Sequence, residues 1–422
     1  MAGQGGKNWT FGEEAFSADI NGYLADQVVM RFADATARDA GFGGAGQPTL
    51  TQGMACYLDD SNQLAIYDGA EWLGVSRNRD RNVVINGAMQ VAQRGTSTTG
   101  ITTDGYYTAD RWRANFSSLG TWTQSVENDA PTGSGFRKSL KMLCTTADTS
   151  PAASDLALID QRIEGQNIQH IAKGNSSAKK LTLSFWIKSN VTGTYAVSLL
   201  DVDNTRAVSA QYTISSSATW QKTTITFPAD TTGAFDNDNA ASLRLLFWLS
   251  AGSGLTSGTL QTAWGSTVDA NLAVGQTNVA AATNNYWQIT GVQLEAGAVA
   301  TPFEFEDFGT TLTKCQRYFQ KSYNVTSAPG SITNAGSVLY DNVGGGTRVS
   351  VSFVVSMRGN PSSVTFYNPV TGTAGQTRNI SAGSNVATSG ALDPGTNRFG
   401  FDSGVIATGA IGTFHWTADA EL

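Results

Sequence analysis

Two stretches of strict alternation set chemistry-bearing side chains on one face of a strand. Leu181-Thr-Leu-Ser-Phe-Trp-Ile-Lys188 sends Leu181, Leu183, Phe185 and Ile187 one way and Thr182, Ser184, Trp186 and Lys188 the other. Leu243-Arg-Leu-Leu-Phe-Trp-Leu249 repeats the pattern, with Arg244, Leu246 and Trp248 opposite the aliphatic set. Sugar rings present apolar C–H faces that stack on indoles, while their hydroxyls pair with amide, carboxylate or guanidinium groups. A sheet face carrying Trp186, Trp248, Lys188 and Arg244 has that chemistry, so these four are the candidate glycan-binding residues. The competing use of such a face is packing, against a covering layer or a neighbouring subunit. Trp122 and Trp264, near loops, have a weaker claim on the same role.

Catalytic signatures are missing from the sequence. There is no G-x-S-x-G, no H-E-x-x-H, no P-loop and no G-x-G-x-x-G ahead of a helix. His170 and His415 are the only histidines and read as structural. Glycan cleavage needs two carboxylates roughly 5 to 9.5 Å apart; Asp201, Asp203, Glu295, Glu304 and Glu306 are the candidates, and they read as turn caps and solvated edges. Cys56, Cys144 and Cys315 are widely spaced and lack a C-x-x-C pair, so buried free thiols are expected rather than a disulfide framework or a zinc site. The expectation is a non-enzymatic protein with no cofactor and no metal.

The positioning elements follow from composition and pattern. Of 422 residues 46 are Gly and only 14% are charged, with a net charge of -7. Helix surfaces draw on Glu, Lys and Arg, so this composition points to a mainly β chain. It also lacks the clustered cations that neutralise phosphates, which argues against a nucleic-acid partner. No run approaches the roughly 20 apolar residues of a membrane span, so no membrane insertion is expected. Residues 1–81 read as a small attachment or oligomerisation segment: Ile20, Leu24, Val28 and Phe32 at helical spacing, then a β-meander at Met54–Leu58, Leu64–Tyr67 and Trp72–Val75. Alternating strands with polar turns over 82–308 point to a jelly-roll β-sandwich. Leu312, Cys315, Tyr318 and Phe319 predict a connecting helix over 309–321, and 322–422 reads as a smaller C-terminal β-sandwich.

Several segments, in order, resemble a known family. Asn86-Gly-Ala-Met-Gln-Val-Ala-Gln-Arg-Gly95 with Tyr107-Thr-Ala-Asp-Arg-Trp-Arg113 is similar to the opening of the receptor-binding-type module of bacteriophage tail fibres. Phe185-Trp-Ile-Lys188, Trp287-Gln-Ile-Thr-Gly-Val-Gln-Leu-Glu-Ala-Gly297, Ala300-Thr-Pro-Phe-Glu304 and Cys315-Gln-Arg-Tyr-Phe319 resemble the rest of that module, and Trp416-Thr-Ala-Asp-Ala-Glu-Leu422 resembles the end of such fibres. Phe32–Asp39, Tyr57–Asp60 and Tyr67–Trp72 resemble N-terminal pieces of phage structural proteins. The resemblance implies a non-enzymatic virion protein, a homotrimer with jelly-roll modules like carbohydrate-binding modules, assembled in the host cytoplasm. It implies attachment to other virion proteins through the N-terminal segment and contact with host-surface glycan through the β modules. The alternative is a head fibre, head-decoration or neck protein that binds no receptor, with a polysaccharide depolymerase a more distant third. The motif transfers no individual ligand residue. Beside it, Asp110 and Arg111 are expected to pair locally next to Trp112, and Arg317 with Glu295 to tie the helix to the module.

Overall fold

The computed structural model describes residues 29–44, 47–60, 63–74, 81–342, 348–388, 390–402 and 407–422. The chain divides into two compact units, 1–81 with 297–303, and 82–296 with 304–422. The expected helical stripe at Ile20, Leu24 and Val28 lies outside the described residues. Phe32, its last member, ends strand β1 (Met30–Phe32) instead.

In the smaller unit, Asp34 accepts a hydrogen bond from the Ala37 amide at 2.7 Å and so caps a short helix, α1 (Ala35–Ala40). Strands β2 (Ala55–Leu58), β3 (Gln63–Tyr67) and β4 (Trp72–Gly74) form the meander, and β1 adds to it in parallel beside β2. The β3–β4 turn depends on Asp68, whose carboxylate accepts from the Ala70 and Glu71 amides, and on Gly69 at φ 103°. One face buries Cys56, Leu58 and Ala65 against Met30, Phe32 and Trp72. On the other, Leu64, Ile66 and Leu73 are exposed, with Ile66 directly opposite Leu73.

The larger unit begins with a two-sheet sandwich. Its strands are β5 (Ser97–Ile101), β6 (Gly105–Tyr106), β7 (Arg113–Ser117), β8 (Thr121–Glu127), β9 (Ser139–Thr146), β10 (Leu156–Glu164), β11 (Leu181–Ser189), β12 (Gly193–Asp201), β13 (Arg206–Ile214), β14 (Gln221–Phe227), β15 (Ala241–Ala251), β16 (Gly265–Ser266) and β17 (Tyr286–Ala296). One sheet runs β16–β13–β12–β15–β10–β7–β6 and the other β14–β11–β17–β9–β8–β5. The chain crosses between sheets at β5–β6, β7–β8, β9–β10, β10–β11, β11–β12, β13–β14, β14–β15 and β16–β17, the jelly-roll pattern of an antiparallel double sheet. The inward aliphatic rows of β11 and β15 meet in one core with Trp112, Trp122, Tyr195 and Trp287.

The long connection after β15 has its own packing role. It holds a single helical turn, α2 (Ser253–Thr256), and lays Leu255, Leu272 and Ala273 on the outer face of the seven-stranded sheet, over Leu158, Leu246 and Trp248.

Beyond the sandwich, Asp307 caps helix α3 (Phe308–Gln316) through the Thr310 amide at 2.9 Å. The helix is shorter than the 309–321 read from the sequence, because Phe319–Lys321 is strand β18, paired with a long final strand. The remaining strands are β19 (Val338–Asp341), β20 (Arg348–Ser352), β21 (Ser363–Tyr367), β22 (Gln376–Asn379), β23 (Ser384–Ala387), β24 (Ala391–Leu392), β25 (Arg398–Asp402) and β26 (Ile411–Asp419). β26 pairs with β18, β19, β21 and β22, while β20, β25 and β24 form a second sheet. Tyr340, Phe366, Phe414 and Trp416 from the first sheet share a core with Val351, Phe399 and Phe401 from the second.

Buried charge joins this part to the sandwich. Glu421 lies between Arg111 and Arg94, the latter at 3.2 Å, and the two guanidiniums cover the Tyr318 and Phe319 rings at 3.4 and 3.8 Å. Burial pushes the Glu421 carboxyl up, and Arg111 and Arg94 act against that. Arg317 pairs with Glu164 through two bonds of 2.9 and 2.8 Å, not with Glu295 as the sequence suggested. Asp110 accepts from the Gln93 amide at 2.9 Å, and Arg111 turns to Glu421.

Candidate functional site

The four candidate glycan-binding residues do not share a face. Trp186 and Lys188 stand on the outer face of β11 in the six-stranded sheet, whereas Arg244 and Trp248 stand on the outer face of β15 in the seven-stranded sheet. Alternation fixes which residues oppose the core and says nothing about which strands are neighbours. Trp248 is only 2% exposed beneath Leu255 and Leu272, and its Nε1 donates to Ser198 Oγ at 2.9 Å. Arg244 Nε donates to the buried Asp160 carboxylate at 3.1 Å. Trp248 is therefore packed inside a covered layer, away from solvent.

Trp186 keeps the expected character. It is half-buried, opposite Lys222 on β14 and Thr290 on β17. The same register carries Lys188 opposite Gln288 and, one step past the end of β14, sets Trp220 across from Lys188. Trp186 and Trp220 are thus diagonal neighbours on one outer face, within reach of a common ligand.

A polar hub holds that face in place. Asp129, in the β8–β9 connection, accepts hydrogen bonds from Lys188 Nζ, from Trp220 Nε1 at 3.2 Å and from Gln288 Nε2 at 3.1 Å. Gln288 also donates to Ser139 Oγ at 2.7 Å, and Lys188 Nζ sits 5.3 Å from the Trp220 ring centroid. Partial burial raises the Asp129 carboxyl, but the bonds from Lys188 and Trp220 outweigh it and hold the group below its ordinary range. Asp129 stays charged and 45% exposed, with Lys188 15% exposed, so the hub faces solvent while fixing the Trp220 ring. The arrangement presents two half-buried indoles beside the Lys188 ammonium and the Asp129 carboxylate, with the Gln288 amide and the Ser139 hydroxyl buried beneath them.

Trp220, Asp129 and Gln288 escaped the sequence reading. Trp220, Lys222, Thr224 and Thr226 alternate with Ile225 and Phe227, so parity alone would have placed Trp220 on the polar face. Asp129 lies in an irregular connection and left no comparable signal.

The remaining candidates are occupied structurally. Trp122 is fully buried and stacked on Phe116, and Trp264 donates to the Pro228 carbonyl at 2.9 Å. Asp201 pairs with Lys173, Asp203 accepts from the Asp236 amide, Glu295 accepts from Gln293, Glu304 accepts from the Asn82 amide, and Glu306 pairs with Lys314. His415 is buried, bonded to Ser322 Oγ and the Thr333 carbonyl at 2.9 Å each, and stacked on Tyr323. His170 is exposed in a 3-10 turn rather than built into the core. Cys56, Cys144 and Cys315 are free and buried. Among the described residues no group of His, Cys, Asp and Glu is arranged to hold a metal, and no helix is long and apolar enough to cross a membrane.

No family model and no curated protein matches the chain. Similar solved structures include the enzymatically active domain of tailspike protein 4 from bacteriophage CBA120, at 16% identity and TM-score 0.28, covering 51% of this chain and 21% of that one. They also include the family 61 carbohydrate-binding module TmCBM61 in complex with β-1,4-galactotriose, at 9% identity and TM-score 0.27 over 51% of this chain and 99% of the module. A xylan-binding domain of family 22 gives 12% identity and TM-score 0.25 over 49% and 97%.

Proposed function

We propose that this chain is a non-enzymatic bacteriophage fibre protein whose jelly-roll sandwich contacts host-surface glycan through the outer face of the six-stranded sheet. The observation that carries the reading is the diagonal pair of half-buried indoles, Trp186 and Trp220, held beside the Asp129–Lys188–Gln288 hub. Stacking on the two rings supplies apolar contact, and the hub supplies donors and acceptors for hydroxyls. Asp129 is engaged by three donors and kept deprotonated, which suits orientation of a ligand better than proton transfer.

The smaller unit supports the rest of the reading. A meander of this size is marginal alone, and its exposed Leu64, Ile66 and Leu73 form an apolar face suited to other copies of the chain or to virion proteins. The protein is accordingly a homotrimer on the virion, attached through residues 1–81. A glycan array probed with the whole chain tests binding, and Trp186→Ala with Trp220→Ala is expected to abolish the signals. Solution mass near three chains supports the trimer; mass near one chain refutes it. Antibody labelling of particles in the electron microscope tests virion location, and unlabelled particles would refute it.

A further inference from the structure

The outer face of the seven-stranded sheet carries an imbalance of charge beyond Trp248 and Leu246. Arg113 on β7 stands opposite Asp160 on β10, and Arg162, two residues further along the same face, stands opposite Arg244 on β15. Like charges directly opposite each other destabilise a sheet. Here three guanidiniums share one fully buried carboxylate: Arg244 Nε at 3.1 Å from Asp160 Oδ2, Arg162 Nε at 3.5 Å from the same oxygen, and Arg113 Nη1 at 3.5 Å from Oδ1. Arg113 has a second partner in Asp104 at 2.6 Å. Arg162 has no ion pair other than Asp160 among the described residues, and its Nε, like Arg113 Nη1, is buried without a hydrogen-bond partner.

Burying donors that lack acceptors is costly, and structures break such local rules chiefly at functional sites. The three side chains keep partial exposure, 14, 25 and 20% for Arg113, Arg162 and Arg244, although Arg162 Nε and Arg113 Nη1 are themselves buried. Guanidinium forks match the paired oxygens of a carboxylate or phosphate. We infer that Arg113, Arg162 and Arg244 form a binding site for an anionic oxygen group carried on a sugar, either a carboxylate or a phosphate. The site is separate from the two indoles and does not rest on them. Asp160 gathers the three arginines and sets the affinity by competing with the ligand. Burial, together with the Arg113 and Arg244 charges, holds the Arg162 guanidinium below its ordinary value, the behaviour of a cation short of counter-charge.

Calorimetric titration of the full chain at low salt with glucuronic acid, glucose 6-phosphate, glucose and inorganic phosphate tests the site. At least one charged sugar is expected to bind and glucose is not; whichever charged sugar binds tighter identifies the group. Arg162→Gln is expected to weaken binding by about tenfold or more without lowering the melting midpoint, and Arg162→Lys to fall between. Asp160→Asn is expected to tighten binding, which a merely structural role for Asp160 does not predict. Trp186→Ala with Trp220→Ala is expected to leave this binding unchanged, which separates the site from the glycan face. No binding by either charged sugar, equal binding by the Arg162→Gln variant, or inorganic phosphate matching glucose 6-phosphate would each overturn the proposal.

Discussion

On the six-stranded sheet Trp186 stands half-buried beside Lys188, with Lys222 and Thr290 as cross-strand neighbours. On the seven-stranded sheet Trp248 is sealed under Leu255 and Leu272, with its indole nitrogen bonded to Ser198. Both residues occupy the polar parity of an alternating strand, and both back onto the same core. The difference arises elsewhere in the chain: the segment after β15 folds back over one sheet and supplies it with a third layer. An outer-face tryptophan thus becomes a core residue or a half-buried one according to what a distant loop covers.

The comparison breaks most sharply at Trp248. Trp248→Ala removes a buried indole from beneath a packed layer and is expected to cost about 3–5 kcal/mol of stability. Thermal or denaturant unfolding checks this; a loss below about 1 kcal/mol would mean that the face is open after all. Next in size, Trp220→Ala is expected to reduce glycan binding by about tenfold or more, or ~1.4 kcal/mol, while moving stability by less than about 1 kcal/mol. Titration and melting on the same preparation separate the two effects.

Asp129→Asn is a gentler change. It removes the charge that orients Lys188 and Trp220, and since the pair is partly exposed the stability loss is expected to stay below about 1 kcal/mol. Binding is expected to drop severalfold, read in the same titration. The smallest effect is that of pH. Folding depresses the Asp129 carboxyl, so its contribution is complete above the ordinary carboxylate value of about 3.9 and is lost as pH falls through the lower folded value. Binding is therefore expected to stay flat from about pH 8 to 4 and to weaken only as pH falls through the lower folded value, measured by titration across that range.

Much of the fold was legible because alternation reports local geometry well. The rows Leu181–Ile187 and Leu243–Leu249 do face one core, and the meander strands fall within a residue or two of their expected places. Half of the candidate face was legible for the same reason, through Trp186 and Lys188. Trp248 and Arg244 were grouped with Trp186 and Lys188 on one face because sheet membership depends on long-range pairing that no local pattern encodes. Asp129 was invisible because a loop carboxylate acquires its role only when β11, β14 and β17 bring Lys188, Trp220 and Gln288 to it. The Glu164–Arg317 pair was missed on the same account, its partners lying 153 positions apart.

The most direct test of the central claim is a glycan array read in parallel with the wild-type chain and the Trp186→Ala/Trp220→Ala double variant, both verified as folded by their melting curves. The account predicts discrete glycan signals for the wild type and their loss in the double variant at an unchanged melting midpoint. Undiminished signals in the double variant, or no glycan signal from the wild type, would contradict it.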